Sequence, residues 1–136
     1  MNVQGDFSMP LGFGVRDKKG REVLDIGVNV DTEVLYYLAQ FKQFPWVCQL
    51  IDLDPYNNNQ IKPNKINGLL HELPKLQKLV QEKKVPQPPQ YVGAESFTTP
   101  QNGKPFDMNK LEILISKLIQ TLEYGQKHGT VWAYGD

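Results

Sequence analysis

Between Leu111 and Leu122, apolar residues recur at Leu111, Leu114, Ile115, Leu118, Ile119 and Leu122, while Lys110, Glu112, Lys117, Gln120 and Glu123 take the polar positions. That spacing follows the 3.6-residue period of an α-helix with a single apolar stripe. Asp107 stands where an N-cap belongs, and Gly125 or Gly129 can end the helix. A second stripe runs through Leu69, Leu70, Leu73, Leu76, Leu79 and Val80, with Pro63 suited to its first turn. Pro74 interrupts this stripe and predicts a helix that is kinked or divided in two, because an internal proline removes a hydrogen bond and clashes with the preceding turn. One-sided helices must bury their stripes against another layer, so the rest of the chain has to supply one.

The N-terminal third supplies it. Phe13 and Val15, then Val23, Leu24, Ile26, Val28 and Val30, flank Asp17-Lys18-Lys19-Gly20, whose glycine tolerates positive φ, and this reads as a β-hairpin. In the second strand Leu24, Ile26, Val28 and Val30 alternate with Asp25, Gly27 and Asn29, which places the four apolar residues on one buried face. Gly12-Phe13-Gly14 reads as a strand bend rather than a phosphate loop, since no third glycine follows and the first helix is too distant. Asp31 is the expected N-cap of a short helix carrying Val34, Leu35, Leu38 and Phe41, which ends before Pro45. Trp46 to Leu53 reads as mostly extended. Thr130 to Tyr134 has the β-branched and aromatic content of a final strand. The segment from Val85 to Pro105, with five prolines, is predicted to be a loop. The expected architecture is therefore α+β: one domain over residues 1–136, with a small, largely antiparallel sheet covered on one face by two main helices.

A chain of 136 residues is long enough for one core. Fifteen basic residues balance fifteen acidic ones, and no basic cluster is interleaved with aromatics, which argues against nucleic acid as a partner. No run approaches the roughly 18 apolar residues of a membrane span, and the first nine residues lack the apolar stretch of a secretory signal. Cys48 is the single cysteine, read as a small buried hydrophobe, and excludes an intrachain disulfide. These features point to a cytoplasmic protein.

Chemistry-bearing residues gather at one place, the turn Asp52-Leu53-Asp54-Pro55-Tyr56 followed by Asn57, Asn58 and Asn59. Alternating oxygen ligands would suit a hard cation, but Tyr56 occupies the third ligand position and Pro63 stands where a calcium loop has its bidentate glutamate, so no metal is expected. His71 and Glu72 do not complete a zinc protease motif, because Lys75 replaces the second histidine. His128 suits a helix C-terminal charge, and Ser8, Ser96, Ser116 and Cys48 lack the context of an activated nucleophile. No cofactor is expected. Two readings of the turn stay open. Asp52, Asp54, Tyr56 and Asn57, with Tyr91 of the proline-rich loop, form a partner-binding surface, or the carboxylates serve a structural Asx-turn at a helix entry. The six tyrosines and two tryptophans are the usual anchors of interfaces, with Trp46 and Trp132 expected in the core and some tyrosines outside.

Ile51-Asp52-Leu53-Asp54-Pro55-Tyr56, then Leu69-Leu70-His71-Glu72-Leu73, and the closing Trp132-Ala133-Tyr134-Gly135-Asp136 resemble a group of small uncharacterised bacterial proteins. That group places an Ile-Asp-Pro-Tyr turn before a Leu-Leu-x-Glu-Leu helix and ends in an aromatic strand closing with Gly-Asp. This chain departs from it by Leu53-Asp54 before Pro55 and by Pro74. The resemblance implies a bacterial origin and no particular activity. In size and in lacking a catalytic set, the chain is also similar in style to immunity proteins of toxin systems. The expected function is a non-enzymatic binding protein whose partner is a protein, in the most concrete case a toxin. The alternative is a small hydrolase or metal-dependent enzyme using Asp52, Asp54 and His71.

Overall fold

The computed structural model describes residues 11–53, 58–86 and 108–135. β1 (Leu11–Asp17) and β2 (Glu22–Val30) form the hairpin. Three helical segments follow: α1 (Thr32–Leu38), α2 (Pro45–Cys48) and a 3-10 turn over Gln49–Asp52. A short strand β3 (Asn59–Ile61) leads into the long helix α3 (Pro63–Gln81). α4 (Met108–His128) and β4 (Gly129–Tyr134) complete the described chain. The four strands lie in the order β2-β1-β4-β3, every pair antiparallel. This is the α+β architecture expected from the sequence, with α4 against β1, β2 and β4 and α3 packed alongside α4.

The core lies between sheet and helices because alternate strand residues face one way. Leu11, Phe13, Val15, Ile61, Val131 and Ala133 are buried beneath Leu111, Leu114, Ile115, Leu118 and Leu122 of α4 and Leu69, Leu73 and Leu76 of α3. Gly125 makes the closest approach possible, since a Cβ there would overlap a methyl group of Val131. α4 runs through Gly125 and stops at His128, so of the two glycines proposed to end it, Gly129 lies just beyond the helix. Its proposed cap, Asp107, lies outside the described residues, as do most of the proline-rich segment, Asp54, Tyr56, Asn57 and Tyr91.

The hairpin turn forms where the sequence placed it. The amides of Lys19 and Arg21 donate to Asp17 Oδ1 at 2.8 and 2.9 Å, and Gly20 adopts φ +81°. Beyond it the expected alternation fails. Between the pairs Gly14–Gly27 and Arg16–Glu22, β1 advances two residues while β2 uses five. The additional residues form a bulge that throws Leu24 outward, 86% exposed, and leaves Val23, Ile26 and Val28 packed against the core. A bulge with an odd number of extra residues reverses the facing of what lies beyond it, which a strict period of two cannot anticipate.

Trp46–Leu53 is also corrected, from extended to helical. Pro45 sits in the first turn of α2, and the buried carboxylate of Glu72, reaching across from α3, accepts the Val47 N–H at 2.9 Å. That amide belongs to the first turn, which has no partner of its own, so a side chain from elsewhere caps the helix. Trp46 lies against Gly68, where any Cβ would collide with the indole.

Two smaller expectations are refined, at Pro74 and at Asp31, and the end of α3 has a closure of its own. α3 is undivided at Pro74, whose ring is exposed, so the hydrogen bond it deletes falls on the solvent side. The end of α3 is closed by Lys83 at φ 58°, with Lys84 N–H donating to Leu79 and Lys83 N–H to Val80, the pattern that usually recruits glycine. Asp31 occupies the N-cap position of α1, but its carboxylate pairs with Lys110 at 3.7 Å instead of capping.

Candidate functional site

The sheet face turned away from α3 and α4 carries the unusual chemistry. Its positions are the alternates of the core residues: Gly12, Gly14 and Arg16 on β1, Thr130, Trp132 and Tyr134 on β4, Gln60 on β3, and Gly27 and Asn29 on β2. Gly12 pairs with Tyr134, Gly14 with Trp132, and Arg16 with Thr130. Diagonal neighbours on one face lie within reach of long side chains, so Arg16 can lean over the next aromatic. Its guanidinium carbon sits 4.3 Å from the centroid of Trp132 and 5.8 Å from that of Tyr134. The indole is fixed from its other end, with Nε1 donating to Thr130 Oγ1 at 2.8 Å.

The glycines explain how an aromatic lies flat here. A Cβ on Gly14 would sit 3.1 Å from Tyr134 Cε2, and one on Gly12 would sit 2.9 Å from Asn29 Oδ1. Gly12-Phe13-Gly14 is thus a regular, doubly paired stretch of β1 and not a bend. Its glycines form a floor that the tyrosine ring covers. The Tyr134 hydroxyl is buried without a hydrogen-bond partner among the described residues.

At one end of this face a polar pocket of about 540 Å³ is lined by Arg16, Lys18, Lys127, Gln60, Thr130 and Trp132, with Asp17. Asp17 is already committed. The Arg21 amide, then the Lys19 amide and the Arg21 guanidinium 3.4 Å away, hold its carboxyl below the usual range. No carboxylate among the described residues forms an ion pair with Arg16, Lys18 or Lys127. Among the described residues, the pocket thus sets three cations beside an aromatic wall.

Sequence-predicted residues are distributed differently. Asp52 is exposed at the end of the 3-10 turn, and His71 is exposed on α3, where Lys75 Nζ donates to its Nε2 at 3.0 Å. Among the described residues, no three or more His, Cys, Asp or Glu side chains gather as a metal site. His128 is the last residue of α4, its ring 4.6 Å from that of Tyr124. Trp46 and Trp132, expected in the core, are both half-buried, as is Cys48. Among the described residues Tyr37 is the fully buried tyrosine, its hydroxyl donating to the Pro86 carbonyl at 2.6 Å, while Tyr36 is exposed. Sequence reasoning passed over Arg16 and placed Trp132 inside. The signal was present in Thr130, Trp132 and Tyr134 alternating with Val131 and Ala133, which assigns the small apolar residues to the core side.

No helix among the described residues is long and apolar enough to cross a membrane. No protein-family model, curated protein or solved structure matches the chain.

Proposed function

We propose that this chain is a non-enzymatic binding protein that presents the outer face of its sheet to a protein partner, most concretely a cytoplasmic immunity protein that occludes a cognate bacterial toxin. The observation that carries the reading is the stack of Arg16 on Trp132 beside Tyr134 over a glycine floor. Trp, Tyr and Arg dominate the energetics of interfaces, and this trio occupies a face that the two long helices leave uncovered. The stack is ordered before any partner arrives, so part of the conformational entropy that binding would otherwise cost has already been lost in folding. Arg16, Lys18 and Lys127 favour a partner segment bearing carboxylates.

The experiment is growth rescue. If a toxin is encoded beside this gene, cells producing it should survive when the chain is co-produced, and Arg16→Ala with Trp132→Ala should abolish survival while the circular dichroism spectrum is retained. Full protection by that folded double variant would refute the outer-face reading. The alternative, a hydrolase or metal-dependent enzyme built on Asp52, Asp54 and His71, would instead show a melting temperature that falls on chelation.

A further inference from the structure

Three large apolar residues of the described chain are strongly exposed, and two of them, Leu24 at 86% and Ile113 at 58%, line the same groove. This groove, about 700 Å³, lies along β2, at the edge of the sheet, and is walled on its other side by α4. Leu24 is there because of the bulge, and Ile113 because it falls off the buried stripe of α4. A protruding leucine, beside a recess that sets Val23, Ile26, Val28 and Leu114 between charged walls, gives one surface both a knob and a hole. An isologous interface about a twofold axis needs such a self-complementary pair, residue i meeting j while j meets i.

The charges have the same character. The β2 wall carries Glu22 and Asp25, and the α4 wall carries Lys110 and Lys117. A partner of either uniform sign would be repelled by one wall, whereas a second copy turned by a half-rotation sets acidic wall against basic wall. Lys110 already meets Asp31 at 3.7 Å, but both side chains are exposed, and such a pair exchanges partners at little cost. The chain's formal net charge is zero, so two copies approach without long-range repulsion. The nine residues of β2 span about 30 Å along the groove. The bulge also keeps β2 from presenting a flat ladder for open-ended strand addition.

We infer that the Leu24–Ile113 groove is a self-association surface on which a second copy of this chain docks about a twofold axis, Leu24 of each copy entering the groove of the other. Arg16 and Trp132 do not line the groove, but Gly12, Gly14 and Tyr134 do, so a second copy would share that margin of the outer face with the partner proposed above. Sedimentation equilibrium of the full chain across micromolar concentrations tests it. The expected mass is twice the 15.5 kDa monomer, and Leu24→Glu should weaken association at least about tenfold with an unchanged circular dichroism spectrum. Ile113→Lys should act in the same direction, which guards against a folding defect peculiar to one variant. Asp25→Lys and Lys117→Glu should each weaken the dimer, and together they should restore it. A monomeric wild-type protein, or a dimer that Leu24→Glu leaves intact, would overturn the inference.

Discussion

β1 and β4 carry two unlike faces on the same backbone. Toward the helices stand Leu11, Phe13, Val15, Val131 and Ala133, all buried, and each could be exchanged for another apolar residue of similar volume with modest loss. Away from them stand Gly12, Gly14, Arg16, Thr130, Trp132 and Tyr134. No core requirement accounts for that second set. Two glycines in a central strand weaken it, and an aromatic that lies half in solvent forgoes part of its burial. The first face is what folding needs of a sheet. The second departs from that need in a concerted way, with Gly12 and Gly14 under or beside a larger side chain, as the proposed binding role would require.

The contrast can be broken most forcefully from the inside. Phe13→Ala should lower the unfolding free energy by about 3–5 kcal/mol, read from urea denaturation, because it removes a buried ring beneath α4 and leaves a cavity. A loss as small as that of an exposed substitution would mean the inner face is not the core.

Glu72 tests a different kind of interior. Glu72→Ala should destabilise by about 1–3 kcal/mol, since it strands the buried Val47 amide, and Glu72→Gln should recover much of that because its carbonyl oxygen can still accept. Equal losses in the two variants would show that the charge, rather than the acceptor, caps α2.

The buried phenol of Tyr37 adds a pH dependence. Burial raises its pKa from 10.0 to about 12, so the folded state holds the proton more tightly than the unfolded chain. The associated stability is complete below pH 10 and falls as pH rises from there toward 12, with a slope of at most about 1.4 kcal/mol per pH unit. Denaturation midpoints of the wild type and Tyr37→Phe between those limits should converge as pH rises, and parallel curves would contradict the assignment.

The smallest effect is expected outside. Arg16→Ala should cost no more than about 1 kcal/mol, the scale of an exposed cation–π contact, and Trp132 fluorescence should report the loss of the cation above the ring. A cost on the scale of Phe13→Ala would erase the distinction between the faces and count against the outer face as a binding surface.

Periodicity by itself determined much of this protein. The stripe of α4, the hairpin around Asp17 and Gly20, the final strand and the one-sided covering of the sheet were all legible, because each depends on residues close in sequence acting through a local period. What remained illegible depended on partners distant in the chain. Residues 46–52 are helical because Glu72, twenty-five positions away from Val47, supplies the missing cap and Gly68 makes room for Trp46. β3 is only three residues long and exists because β4 offers it an edge. The bulge that exposes Leu24 arises where β2 meets β1, and no property of either strand alone places it. The candidate site follows the same division. Its residue types stand plainly in the sequence, but Arg16 and Trp132 lie more than a hundred positions apart. Only the antiparallel register of β1 on β4 brings a cation over an indole, and only Gly14 leaves the space in which the Tyr134 ring lies.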